Sequence, residues 1–258
     1  MLFHQLHNSA GNYSYNAFVY DKCSYKAHFH KNIELIYLFS GSMACTVGEQ
    51  TGTLLPGDFA LVLPNEIHAL ELSDDGYCWI GVYSGDFTPA FVKKVRGLVG
   101  DGFIFRCQDS VTDFLKANLL KKEQPSVFMI KACLYAVFSE YERQIRLMPQ
   151  SGKQGMLMNS ITDYIAVNFR NKITLRDMAS ELGYSYHYLS KCFHRIFDMS
   201  FSDYINMYRL EVALTLLSET DKDIIDVAME SGFQSIRSFN DYFLTHVGVN
   251  PSTYRHNK

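Results

Sequence analysis

At 258 residues, with 47% hydrophobic and 20% charged side chains and a formal net charge of −3, the chain fits a soluble globular protein with room for two ordinary domains. No apolar run approaches the length of a membrane span, and the N-terminus lacks a basic stretch followed by an apolar core, so export is not expected. Six scattered cysteines (Cys23, Cys45, Cys78, Cys107, Cys133, Cys192) form no CxxC pair, which argues against a disulfide framework or structural zinc and predicts a reducing cytoplasm.

From Tyr13 to Tyr83, short apolar runs at 17–20, 33–39, 43–47, 59–63, 69–72 and 79–83 alternate with turn residues such as Gly41-Ser42, Pro56-Gly57-Asp58 and Asp74-Asp75-Gly76. Many short strands with regular turns predict a β-sandwich or barrel. Helical signals follow Gly85, with short helices expected at 91–98 and 111–120 and a longer one at 127–146. In the longer one Val127, Ile130, Leu134, Val137 and Tyr141 fall at a/d spacing, and Phe128, Tyr135 and Phe138 form a second apolar row. Two rows exceed what one contact needs, so a dimer-forming helix is expected. The alternative is a helix packed only on its own barrel. Residues 149–156 read as a short flexible linker.

The last hundred residues hold a near-repeat. Thr174 with Asp177 fits an N-terminal cap, and Leu175, Met178, Ala179 and Leu182 form an apolar stripe. Gly183 can stop that helix in the left-handed conformation, and Ser185 can cap the next, whose Leu189, Cys192, Phe193 and Ile196 face inward. Asp223 with Asp226, then Val227, Ala228, Gly232 and Ser235, repeat the scheme, with Phe239 and Phe243 in the second amphipathic run. Helix, glycine turn and capped helix is the pattern of a helix-turn-helix, here at about 174–196 and 223–246. Residues 201–219 suit a long helix joining the two units. Two copies on one chain point to sequence-specific binding of double-stranded DNA.

Residues 174–254 resemble the DNA-binding domain of the AraC/XylS family of bacterial transcription regulators. The matching pieces are Tyr204-Ile-Asn-Met-Tyr-Arg209-Leu-Glu-Val-Ala213-Leu-Thr-Leu-Leu217, Ile225-Asp-Val-Ala228, Ser231-Gly-Phe233 and Gly248-Val-Asn-Pro251-Ser-Thr-Tyr254-Arg255. In the first half, His28-Phe-His30-Lys-Asn-Ile-Glu34 with Gly41 resembles a first cupin motif, and Gly57-Asp58, Pro64 and His68 resemble a second. Regulators of this family often carry a cupin-like effector sensor, so the resemblances agree. They imply an α+β chain of two domains. Residues 1–148 are a cupin-like jelly-roll barrel with following helices, for effector sensing and dimerisation. Residues 157–258 are an all-α domain of two helix-turn-helix subdomains joined by a long helix.

His28 and His30 share a strand face. With Glu34 and His68 they admit three readings: a divalent metal site, a polar effector pocket without metal, or plain structure. The preferred reading is a metal-free pocket for a small organic molecule, with Tyr37 and Trp79 as aromatic walls. No cofactor is expected.

For DNA, the resemblance implies contacts from His187, Ser190 and Lys191 in the first reading helix. In the second, Ile236, Arg237, Ser238 and Asp241 lie outward by helical geometry, with Arg237 placed for a bidentate guanine contact. From Leu157 onward there are ten Lys and Arg against twelve Asp and Glu, a balance of −2, so modest affinity that depends on both heads and on dimerisation is expected. The expected protein is a cytoplasmic, non-enzymatic homodimer. Its partners are an operator, a small-molecule effector and, as a further contact, RNA polymerase. The rivals are a metal-dependent cupin enzyme with an appended helical domain, and a regulator whose barrel serves only dimerisation.

Overall fold

The computed structural model describes residues 3–4, 15–121, 125–150, 153–197 and 199–256. Its contacts group into two compact units, and the chain passes from one to the other between Met156 and Leu157.

The first unit opens with strands β1 (Phe3–His4), β2 (Tyr15–Tyr20), β3 (Ser24–Phe29), β4 (Ile33–Ser40), β5 (Met43–Val47), β6 (Gln50–Leu54), β7 (Phe59–Val62), β8 (His68–Leu72) and β9 (Tyr77–Tyr83). It continues through α1 (Pro89–Val95), β10 (Leu98–Gly100), β11 (Ile104–Phe105), α2 (Asp109–Asn118), α3 (Val127–Gln144) and β12 (Leu147–Pro149). Two five-stranded sheets form, ordered β1-β3-β8-β5-β6 and β11-β7-β4-β9-β2. One core lies between them, with Met43, Cys45, Val47 and Leu70 from the first sheet and Ile36, Leu38, Ile80 and Val82 from the second. A second core covers the other face of the second sheet. Leu35, Tyr37, Phe59, Trp79 and Tyr83 pack there against Phe91 of α1, Leu115 of α2 and Leu134 and Phe138 of α3. Strand β4 is therefore buried on both faces, which explains why its Leu35 to Phe39 run is apolar without alternation.

Every apolar run expected as a strand lies on one. The strand expected around His28 is β3, which ends at Phe29, while β6 escapes the sequence reading because Gln-Thr-Gly-Thr-Leu is too polar to signal a core strand. The helix expected at 91–98 stops early. Gly97 takes φ +73°, and Leu98 opens β10, which pairs antiparallel with β12.

The long helix corrects the dimer-seam expectation. Ile130, Leu134, Val137 and Tyr141 are buried in the helix-side core of their own unit, as is Phe138. The second sheet exposes a complete apolar outer face, and the a/d row of α3 is what covers it. The outward apolar residues of this helix are Phe128 (83% exposed), Tyr135 and Val127. The linker is also shorter than expected. Strand β12 reaches Pro149 and helix α4 (Lys153–Asn168) starts inside the 149–156 stretch, of which Ser151 and Gly152 lie outside the described residues.

The second unit is helical: after α4 come α5 (Leu175–Glu181), α6 (Tyr186–Phe197), α7 (Phe201–Glu219), α8 (Ile224–Glu230), α9 (Ile236–Val247) and α10 (Pro251–His256). The α7 backbone spans the stretch read from sequence, and Ser200 caps its start by accepting from Asp203 N–H at 3.1 Å. The front of α7 packs on the first helix pair, where Tyr204 meets Phe193 and Phe197 at ring-centroid distances of 5.7 and 4.5 Å. Its rear packs on the second, through Leu210, Ala213 and Leu217 against Val227, Ala228, Phe233, Phe239 and Phe243.

Arg209 ties α7 to the end of α4. Its guanidinium is buried and donates to Phe169 O at 2.8 Å and Asn171 O at 2.9 Å, two carbonyls just past the end of α4. Arg209→Ala is expected to lower the stability of this unit by about 3 kcal/mol, because those carbonyls then lack charged donors. Chemical denaturation followed by circular dichroism measures this, and a loss below 1 kcal/mol contradicts the role.

Candidate functional site

Two helix pairs carry the DNA-reading geometry. In the first, Thr174 and Asp177 form a reciprocal capping box at the start of α5. Gly183 turns the chain at φ +73°, and Ser185 Oγ accepts from Tyr188 N–H at 3.3 Å at the start of α6. Leu189, Cys192, Phe193, Ile196 and Phe197 are buried. The opposite side of α6 presents His187, Lys191, His194 and Arg195 to solvent, with Ser190 half-buried beside them. No acid lies on this helix, so its exposed face is a coherent positive stripe.

In the second pair, Gly232 takes φ +91° and Ser235 Oγ accepts from Ser238 N–H at 3.1 Å. Phe239 and Phe243 are fully buried. Arg237 stands 89% exposed with its Nε 3.9 Å from Asp241 Oδ2. That loose, solvated pair costs little to separate, so Arg237 is free to swing toward a base. Three expectations shift here. Ile236 is half-buried against the core of this pair rather than outward. Ser238 spends its hydroxyl on the cap, donating to Ser235 O at 2.9 Å and accepting from Ser235 Oγ at 3.0 Å. Asp223 stands at the α8 N-cap without a side-chain capping bond.

Sequence reasoning passed over Tyr184 and Tyr188, which with the outward Tyr186 make an aromatic surface beside α6. Tyr184, Tyr186 and Tyr188 are all exposed. Tyr184 stacks on Tyr188 at 5.5 Å, and the Arg176 guanidinium lies over Tyr186 at 5.2 Å. The signal was available, since three tyrosines at alternate positions across a helix start cannot all face one core.

The barrel residues separate into two groups. His28, His30, Glu34 and His68 converge between the sheets, all buried. His28 and His68 are paired across β3 and β8, with ring centroids 4.1 Å apart. Glu34 Oε2 lies 3.0 Å from His30 Nε2 and 3.6 Å from His68 Nε2. Burial alone pushes the Glu34 carboxyl up, but His68 and His30 outweigh it and hold the group far below the usual carboxylate range. Burial lowers the His68 imidazole, yet Glu34 outweighs it and the net shift is upward. Burial and His68 together bring His28 down to about 4.

Tyr37 and Trp79 are not walls of this site. They pair with each other across β4 and β9, on the helix-covered face of the same sheet. Glu34 and Tyr37 are three residues apart on one strand, and that odd spacing sends them to opposite sides. The cavity beside His28 and Glu34, bordered by Phe18, Tyr20 and Tyr25, measures about 20 Å³. An organic effector needs a pocket of roughly 300–1,000 Å³. One hollow of that size among the described residues, about 650 Å³, is an open groove over β3, β5, β6 and β8, lined by Lys26, Thr46, Thr51, Thr53 and Glu71 among others.

The four-residue cluster also has the makeup of a metal site. Three imidazoles and one carboxylate are the donor types that zinc and its first-row neighbours take. One donor atom from each residue lies within 4.8 Å of all the others. Glu34 Oε1 and His68 Nε2 are buried without a hydrogen-bond partner. The residues fit such an ion.

A two-sheet barrel unit followed by a paired helix-turn-helix unit defines a transcription regulator with a ligand-binding domain. Residues 17–94 match the AraC-like ligand binding domain, and residues 178–257 match a helix-turn-helix domain. The HTH-type transcriptional activator AarP of Providencia stuartii is 32% identical over 102 residues, covering 40% of this chain and 76% of AarP. The melibiose operon regulatory protein of Escherichia coli is 32% identical over 98 residues, 38% of this chain and 32% of that protein. An uncharacterized HTH-type transcriptional regulator of Staphylococcus aureus is 32% identical over 182 residues, 70% of this chain and 23% of its relative. The chain thus aligns with about a third of the melibiose regulator's length and a quarter of the staphylococcal one's. An apo crystal structure of ToxT from Vibrio cholerae superposes with a TM-score of 0.48 at 17% identity, over 96% of this chain and 98% of ToxT. The chain belongs to the AraC family of transcription regulators. Its relatives are regulators, and no helix among the described residues is long and apolar enough to cross a membrane.

Proposed function

We propose that this chain is a cytoplasmic, non-enzymatic regulator that reads two successive major grooves of an operator with α6 and α9. The observation that carries this is the matched construction of the two helices. Each starts at a serine cap, buries a Phe with a large apolar partner four residues before it, and exposes a polar face. A helix so held can enter a groove N-terminus first. On α6, His187, Ser190 and Lys191 are the proposed contacts, and on α9 Arg237 is the main reader with Asp241 beside it. Ser238 acts by holding the cap, and Ile236 by seating the helix.

Arg237→Ala is expected to cost about 1–3 kcal/mol at one base position and relax preference there, while Lys191→Ala weakens binding by a similar order. Competition binding against a library of variant sites reads both. Unchanged base preference in Arg237→Ala removes its assigned role.

In the barrel unit, an organic effector fits the open groove by volume, and its binding shifts how the reading unit is presented. Homodimerisation is assigned to the outward row of α3, Val127, Phe128 and Tyr135, in place of the buried a/d row. Contact with RNA polymerase completes the proposed partner set. Phe128→Asp is expected to halve the mass seen by light scattering with the fold intact. A dimer that persists places the seam elsewhere.

A further inference from the structure

All six cysteines are free and buried, but they are not equivalent. Cys107 and Cys133 lie in the helix-side core and Cys192 in α6. Cys23, Cys45 and Cys78 share the core between the sheets. Strand alternation places Cys78 there, since it points with Ile80 and Val82, while Trp79 and Tyr83 point the other way. Cys78 pairs with Tyr20, the last residue of β2. An exposed bend at Asp21 and Lys22 follows, and Cys23 brings the chain back inward. The Cys23 carbonyl accepts from Leu72 N–H at 3.0 Å, which ties that return to β8. The two thiols meet there and are hydrogen-bonded to each other.

This pair has the makings of reactive sulfur rather than inert packing. The hydrogen bond from Cys78 lowers the Cys23 thiol below its ordinary value, outweighing burial and the Glu34 charge. The same hydrogen bond, and then burial, push the Cys78 thiol up. Cys23 is also the more accessible, at 8% exposed beside the bend, against 0% for Cys78. A thiolate is the form that attacks an oxidant, so Cys23 is the sulfur placed to react first. Cys45 is a weaker candidate, because burial pushes its thiol up to about 12 and its Sγ is turned toward Met43 O at 3.8 Å. Two sulfurs in contact need only close to about 2.05 Å to bond, a movement the Asp21–Lys22 bend can absorb outside any strand.

We propose that Cys23 and Cys78 are a reversible oxidation site, joined as an internal disulfide by a small peroxide, with Cys23 oxidised first and Cys78 resolving it. The Cys23 sulfur attacks one peroxide oxygen. An S–O bond forms as the O–O bond breaks, and the departing hydroxide takes the Cys23 proton and leaves as water. Cys23 is then a sulfenic acid. The Cys78 sulfur attacks it, the S–S bond forms as the S–O bond breaks, and the second hydroxide takes the Cys78 proton. Two thiols are oxidised and one peroxide is reduced to two waters. The bond fixes the β2–β3 connection, where the chain crosses from the second sheet to the first, onto β9. The slight exposure of Cys23 favours an oxidant as small as hydrogen peroxide. The site is independent of which DNA is read and of where an organic effector binds.

The test uses the reduced full chain, treated with hydrogen peroxide alone, then unfolded in an alkylating reagent and mapped by peptide mass. The expected result is that the six free thiols fall by two, with the Cys23 and Cys78 peptides linked within one chain. Dithiothreitol is expected to restore both. Cys23→Ala is expected to lose no thiol under the same treatment. Cys78→Ala is expected to stop at the sulfenic acid and take one dimedone label at Cys23. If a variant fails to fold, the wild-type map still decides. Retention of all six thiols overturns the proposal, as does a link between any other pair or between two chains. So does thiol loss that persists in folded Cys23→Ala, or a folded Cys78→Ala protein that takes no label.

Discussion

Leu134→Asp, alone or with Val137→Asp, is expected to unfold the barrel unit rather than part a dimer. Both side chains are fully buried in the core that α3 forms with the second sheet, beside Tyr37, Trp79 and Phe138. A carboxylate there has no donor to meet it, and the lost leucine contacts add to the penalty. Together they exceed about 4 kcal/mol, a large part of the stability of an ordinary domain. Urea denaturation followed by near-ultraviolet circular dichroism, where Trp79 reports, reads the effect directly. Phe128→Asp on the outward side of the same helix is expected to change stability by no more than about 0.5 kcal/mol. A Leu134→Asp protein that is folded and monomeric contradicts the assignment of this row to the core.

The second large effect falls on one of two glycines that look equivalent in sequence. Gly183 and Gly232 each end the first helix of a pair, at φ +73° and +91°. A Cβ on Gly183 meets nothing within 4 Å, whereas one on Gly232 lies 2.7 Å from Phe169 O and 2.8 Å from Arg170 Cα. Both are backbone atoms at the end of α4, held in place by Arg209, so they cannot yield cheaply. Gly183→Ala is expected to cost only the left-handed strain, about 1–2 kcal/mol. Gly232→Ala adds steric overlap, for a total of about 3–4 kcal/mol, and distorts the approach of α9. Denaturation of the two variants side by side gives the difference. Equal costs contradict the close approach of α4 to the second turn.

What was legible in the sequence was mostly local. Thr174 with Asp177, Ser235 before α9, the turn glycines and the buried Phe193, Phe239 and Phe243 are all signalled within a few residues, and the reading unit follows from them. Across the barrel the sequence speaks less clearly. The burial of Ile130, Leu134 and Val137 depends on an uncovered sheet face hundreds of atoms away in the chain, and a periodic stripe cannot say what it covers. The separation of Tyr37 from Glu34 was readable from strand period alone. The meeting of His28 with His68 was expected only through the cupin resemblance and not from strand period, because it depends on the register between β3 and β8, which a bulge between Tyr25 and His28 resets.

The central claim is that one chain reads DNA with two helices, α6 and α9. Selection of bound duplexes from a randomised pool by the full chain tests it most directly, at two salt concentrations, with wild type, Lys191→Ala and Arg237→Ala. The expected outcome is a site of two sequence blocks whose centres lie about 10–10.5 base pairs apart, one helical turn. Arg237→Ala then relaxes a position in one block, Lys191→Ala weakens the other, and affinity falls steeply with salt. A pool with no enriched sequence, or a single block indifferent to both substitutions, contradicts the account.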